Sequence, residues 1–179
     1  MRASVGVAAA RKRDLQDMLL SADRLNAEGK SAAMIIQKQE EFDVVGLSER
    51  VSNDEPSSIA ALWSQFYNSG LRERLPSVVG SNIYAVYHDY KGDQSAPYVM
   101  TIGYRVPAGA ACPADLSRVS IPSQDYAVFE AVGAQPQALI SQWAAIWKSD
   151  LDRAYVADFD SYDAGNKERV TVNVGVKSR

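Results

Sequence analysis

The sequence predicts an α+β fold of two β-α-β-β repeats in pseudo-twofold arrangement, an antiparallel sheet with two helices on one face and a ligand groove between the halves. Three observations predict it. The order strand, helix, strand, strand occurs twice along the chain. "LWSQFYNS" (62–69) aligns with "QWAAIWKS" (142–149), which sets Trp63 over Trp143. "TIGYR" (101–105) aligns with "NVGVK" (173–177), which sets Gly103 over Gly175. Each half alone offers a small sheet with one apolar face. Two halves side by side can bury both helices on one face of a shared sheet. The other sheet face is then left concave, and a groove between pseudo-symmetric halves is a natural ligand site.

The elements follow in order. Residues 9–28 carry Leu15, Met18, Leu19, Ala22 and Leu25 on one narrow helical stripe, with Gly29 as a stop. We take 1–31 as a helical extension and 32–179 as the domain, with repeat one over about 32–107 and repeat two over about 117–178. Residues 32–52 read as a strand with Val44, Val45 and Leu47 as its apolar spine. Residues 53–75 read as a helix with Asp54 as candidate N-cap and Pro56 just behind it. Ile59, Leu62, Trp63, Phe66 and Leu71 form its buried stripe. "NIYAVYHDYKG" and "PYVMTIGYRVP" alternate and flank the turn-rich "GDQSA", which makes a hairpin. A small-residue linker, 108–116, leads to the second half. "SRVSIPSQDYAVFEAVG" reads as a strand. "QPQALISQWAAIWKSDL" reads as a helix with Leu139, Ile140, Trp143, Ile146 and Trp147 inward. "AYVADFDSYDAGN" and "ERVTVNVGVKS" close the domain as a second hairpin.

Composition narrows the function classes. A chain of 179 residues can bury roughly 70% of its unfolded surface. A net charge of −3 and a pI near 5.2 argue against direct nucleic-acid binding, which usually needs a basic face. No apolar run approaches the ~20 residues that span a bilayer, so no membrane role is expected. The N-terminal "MRASVGVAAARKR" is too poor in large apolar residues for a signal peptide. Cys112 has no second cysteine to bridge, and a cytoplasmic location is the expectation. A single His88 excludes zinc sites built on several His or Cys. No glycine-rich phosphate loop is present. No metal or other cofactor is expected, and His88, between Tyr87 and Asp89, reads as a surface strand residue rather than a heme ligand.

The stretch "ADFDSYD" (157–163) carries the functional question. Strand alternation points Asp158, Asp160 and Tyr162 to one face and Ala157, Phe159 and Ser161 to the other. Asp160 is either a solvated acid or the floor of a pocket. Glu130, beside Tyr126 and Val128 by parity, is the second candidate acid. Tyrosines supply aromatic walls: Tyr84, Tyr87 and Tyr104 on the first hairpin, Tyr126 and Tyr162 in the second half. Tyr84 and Tyr87 cannot share a face of a regular strand. Trp63, Trp143 and Trp147 read as core or pocket backing, with Trp147 also a possible pocket edge.

Several stretches together resemble the GyrI-like superfamily, the effector-binding domains attached to AraC-type and MerR-type regulators and found as stand-alone proteins. They are "FDVVGLSERVS" (42–52), "LWSQFY" (62–67), "IYAVYHDY" (83–90), "IPSQDYAVFEAVG" (121–133), "LISQWAAIWKS" (139–149) and "DFDSYD" (158–163). The likeness covers about residues 33–179. It implies small-molecule binding, often of lipophilic aromatic cations, in the groove between the halves. The family pattern Phe-Glu-x-Tyr falls on Phe159-Asp160-Ser161-Tyr162, so the pocket acid is one methylene shorter here. The ligand-binding residues expected on this basis are Asp160, Tyr162, Glu130, Tyr104, Tyr87, Tyr126 and Trp147.

The favoured function is therefore a stand-alone module that captures an amphipathic, cationic, aromatic compound. The N-terminal helix could pair with itself or with a partner protein. One alternative is a hydrolase of reactive aromatic compounds, with Asp160 or Glu130 and a Tyr in general acid–base roles. Another is a protein-binding inhibitor of the gyrase-inhibitor type, which an acidic DNA-mimicking face would favour. Acids and bases are too well mixed along the chain to supply such a face.

Overall fold

Local sequence sets the elements, and pairing between the halves sets the sheet. The computed structural model describes residues 34–178, so the helix expected over 9–28 lies outside the described residues. In order, the elements are β1 (Ile35–Gln39), β2 (Phe42–Val51), α1 (Pro56–Asn68), α2 (Leu71–Arg74), β3 (Ile83–His88), β4 (Tyr98–Val106), β5 (Ser117–Ile121), β6 (Gln124–Val132), α3 (Gln137–Lys148), β7 (Arg153–Tyr162) and β8 (Arg169–Val176). The eight strands form one antiparallel sheet in the order β1-β6-β8-β7-β3-β4-β2-β5. Exchanging β1 with β5, β2 with β6, β3 with β7 and β4 with β8 reverses this order onto itself. The duplication read from the sequence is thus built into the sheet. β3 and β7 pair across the pseudo-dyad, with Ala85 opposite Asp160 and Tyr87 opposite Asp158.

Two expected strands are each split. The run 32–52 breaks at Glu40 and Glu41, and the second breaks at Pro122 and Ser123. Each short first strand then pairs with the long strand of the other half, β1 with β6 and β5 with β2. The helix expected over 53–75 also breaks. Gly70, at φ 59°, ends α1 and starts the single turn of α2. Glu55, not Asp54, occupies the N-cap of α1, and no side chain caps it. Pro56 starts the helix, where its missing N–H costs nothing.

Alternation along the strands divides the core between the two faces. On the helix-bearing face, Ile59, Leu62, Trp63 and Phe66 of α1 pack on Val45, Ala85, Met100 and Ile102. Leu139 and Ile146 of α3 pack on Ala131, Val170, Val172 and Val174. Each such large side chain contributes about 1.5–3 kcal/mol on full burial. The opposite face holds a smaller core of Phe42, Val44, Val86, Ile121, Tyr126 and Phe159. Gly46 and Gly103 face each other between β2 and β4. A Cβ on Gly103 would meet the Val45 carbonyl oxygen at 2.0 Å, so the close approach of these strands requires glycine there. The helices lie chiefly over the outer strands, α1 on β2 and β4 and α3 on β6. That leaves the central pair β3 and β7 as the floor between them.

Candidate functional site

The alternation of β7 places Asp158, Asp160 and Tyr162 on the helix-bearing face. Both acids are fully buried, at 0% exposure. Both acids therefore lie beneath the helices, and not on the bare concave face where the fold pattern suggested a groove. Burial in apolar surroundings disfavours a carboxylate unless something stabilises it, and the two acids are stabilised differently.

Asp158 has a cation of its own. The Arg153 guanidinium lies 2.6 Å from its Oδ2, and both side chains are buried. The Tyr90 hydroxyl also donates to Oδ2, and the Gly175 amide donates to Oδ1 at 2.8 Å. Arg153 itself lies over Tyr155, 4.3 Å from the ring centroid, with Trp143 at 5.8 Å and Tyr90 at 6.0 Å. The irregular start of β7, between Arg153 and Asp158, brings the arginine back over the acid.

Asp160 has only neutral donors. Tyr87 Oη donates to Oδ2 at 2.5 Å, and Trp143 Nε1 reaches Oδ1 and Oδ2 at 3.1 and 3.3 Å. Among the described residues no cation pairs with it. Burial pushes its pKa up to about 7, against the pull of the Tyr87 and Trp143 hydrogen bonds, and the Asp158 charge adds to the rise. Burial and the adjacent Asp160 in turn hold the Tyr87 hydroxyl well above its usual value.

Aromatic side chains surround this acid. Tyr87 meets Trp143 edge-on at 5.6 Å and Tyr98 at 5.8 Å. Tyr162 meets Trp63 edge-on at 5.1 Å. Each helix repeats the same device one turn on: Tyr67 stacks on Trp63, and Trp147 leans on Trp143. Four buried donor atoms have no partner among the described residues: Trp63 Nε1, Tyr162 Oη, and Nε and Nη1 of Arg153. An unmet buried donor costs about 1–3 kcal/mol.

Of the residues singled out in the sequence, the structure brings together Asp160, Tyr87 and Tyr162, with Trp147 at the rim and Tyr104 farther along, against Phe66 at 5.8 Å. It does not bring Glu130 or Tyr126 to them. β6 is phased so that both side chains face the other side of the sheet. There Glu130 is exposed and paired with Arg169, while Tyr126 is buried against Phe159 with its hydroxyl on the Pro122 carbonyl. His88, expected at the surface, is half-buried on that same side against Thr101 Oγ1 at 2.9 Å, and burial lowers its pKa. Sequence reasoning gave no role to Arg153, Tyr90 or Tyr98. The one available signal was Asp158, which shares the parity of Asp160 and needs a partner if buried. Among the described residues no group of three or more His, Cys, Asp or Glu could hold a metal ion, and no helix is long and apolar enough to cross a membrane.

A duplicated antiparallel sheet with its helices on one face, over two buried acids and a cluster of aromatic rings, fits the GyrI-like fold. The sequence matches the family described as Cass2, integron-associated effector binding protein, over residues 35–175, and the chain belongs to that family. Solved structures agree on the fold. An integron cassette protein of Vibrio cholerae, VCH_CASS2, is 22% identical with a TM-score of 0.67, over 80% of this chain and 95% of that one. SAV2435, solved bound to tetraphenylphosphonium, is 20% identical with a TM-score of 0.67, over 82% and 94%. The EcmrR C-terminal domain is 13% identical with a TM-score of 0.54, over 84% and 100%. No curated protein matches the sequence.

Proposed function

We propose that this domain captures a lipophilic aromatic cation over Asp160, as a sensor or sequestering module. The observation that carries this reading is the contrast between two buried acids on one strand: Asp158 has Arg153, and Asp160 has no cation among the described residues. A large cation with diffuse charge gives up little hydration on burial and would supply the missing partner. Trp63, Trp143, Tyr87 and Tyr162 would surround it, each good cation–π contact adding about 0.5–2 kcal/mol. The tetraphenylphosphonium bound by SAV2435 is a ligand of this chemistry, on a chain of the same fold. Asp160 is fully buried, so entry requires the Trp143–Trp147 or Trp63–Tyr67 pair to move aside. Short Asp rather than Glu draws the charge deeper, toward β3.

Calorimetric titration with tetraphenylphosphonium near pH 8 tests this reading. Wild type should bind, and Asp160→Asn should weaken binding at least tenfold, about 1.4 kcal/mol. Equal affinity in both proteins would remove Asp160 from the site.

A further inference from the structure

The face of the sheet away from the helices holds a cleft of about 180 Å³. Phe42, Tyr84 and Phe159 form its floor. Their rings touch pairwise at centroid distances of 5.3, 5.6 and 6.1 Å. Of its lining residues only Arg105 is charged. Its guanidinium lies over the Phe42 ring at 4.6 Å. No carboxylate among the described residues pairs with it. Ser161 Oγ accepts from Asn82 at 3.1 Å, which leaves its own proton to donate into the cleft. The sign of the charge, the donors and the aromatic floor all select the same chemistry. A cavity of about 150 Å³ is enough for one benzene ring, so this cleft has room for one ring and a small acidic group.

We propose that this cleft is a second ligand site, specific for a small aromatic carboxylate held by Arg105 and Ser161 over the three rings. It stands back to back with the site over Asp160, since Phe159 and Asp160 are consecutive residues pointing to opposite faces of β7. The two sites have opposite charge preference, and this one does not rest on cation capture in the other.

The test is an NMR titration of the full chain with benzoate, benzamide and benzylammonium. Benzoate should shift the amides of Ser161, Thr171 and Asn173, with neutral benzamide at least tenfold weaker and benzylammonium without effect there. Arg105→Gln should weaken benzoate at least tenfold. The wild-type comparison of the three probes stands even if the Arg105 variant fails to fold. Benzoate shifts that spare the cleft, an affinity that survives Arg105→Gln, or equal binding of benzylammonium would each overturn the proposal.

Discussion

Replacing Asp160 by Asn should change how stability depends on pH more than it changes stability at any one pH. The native carboxyl titrates at about 7, whereas an unfolded Asp titrates at about 3.9. Between those values the folded chain holds a proton that the unfolded chain has released. Stability therefore falls as pH rises through this window and is level above about 7. The difference of roughly 3 units, at 1.36 kcal/mol each, gives a loss on the order of 4 kcal/mol. Asparagine can accept from Trp143 on Oδ1 and donate its amide to Tyr87 Oη, which can accept as well as donate. Whatever those contacts gain or lose does not titrate. Urea unfolding of both proteins at about pH 4, 6 and 8 isolates the effect, because all other groups titrate in both and cancel in the difference. The wild type should lead at the acid end and lose that lead, or fall behind, by about pH 8. A difference that stays constant within ~1 kcal/mol across the window would mean that Asp160 ionises as an ordinary acid, and the unpaired-carboxylate argument would fail.

Two further outcomes follow from the same geometry. Cation binding needs the ionised acid, so apparent affinity for tetraphenylphosphonium should drop about tenfold per pH unit below about 7, with proton release visible as a buffer-dependent heat on calorimetry. Arg153→Met should destabilise the fold by about 3–5 kcal/mol in urea unfolding, because it leaves Asp158 buried and unpaired, while the double variant with Asp158→Asn should recover much of that loss.

The duplication and the alternation of β7 were legible because both are local patterns. Trp63 over Trp143 needs only an offset, and Asp160 beside Tyr162 needs only a period of two. The splits at Glu40–Glu41 and Pro122–Ser123 had local signals that the strand reading passed over, the polar run Gln37–Glu41 and a proline. What no local window contains is the pairing of each short strand with the other half of the chain. The placing of Glu130 on the other face from Asp160 was hidden for the same reason. Its parity within β6 was right, with Tyr126 and Val128 on the same side, but the phase of β6 relative to β7 is set through β8. Arg153 was hidden by the irregular start of β7, which sets it over Asp158 across a gap that regular alternation would not close.

The two acids of β7 make an internal comparison. They lie on the same strand and the same face, are equally buried, and each accepts a hydrogen bond from a tyrosine, Tyr90 for Asp158 and Tyr87 for Asp160. Trp143 serves both surroundings, donating its indole proton to Asp160 while its ring lies near the Arg153 charge. What differs is the cation. Around Asp158 the chain supplies carboxylate, guanidinium, and three aromatic rings within 6.0 Å of that guanidinium, whose Nε and Nη1 find no acceptor among the described residues. Around Asp160 stand the carboxylate and the rings, and among the described residues no positive charge. A purely structural acid would gain from an arginine of its own, as Asp158 did, or from replacement by an apolar residue, which often matches or exceeds a buried ion pair in stability. A carboxylate held there by neutral donors alone among the described residues costs stability above about pH 7, and under the proposed function a bound cation would recover that cost.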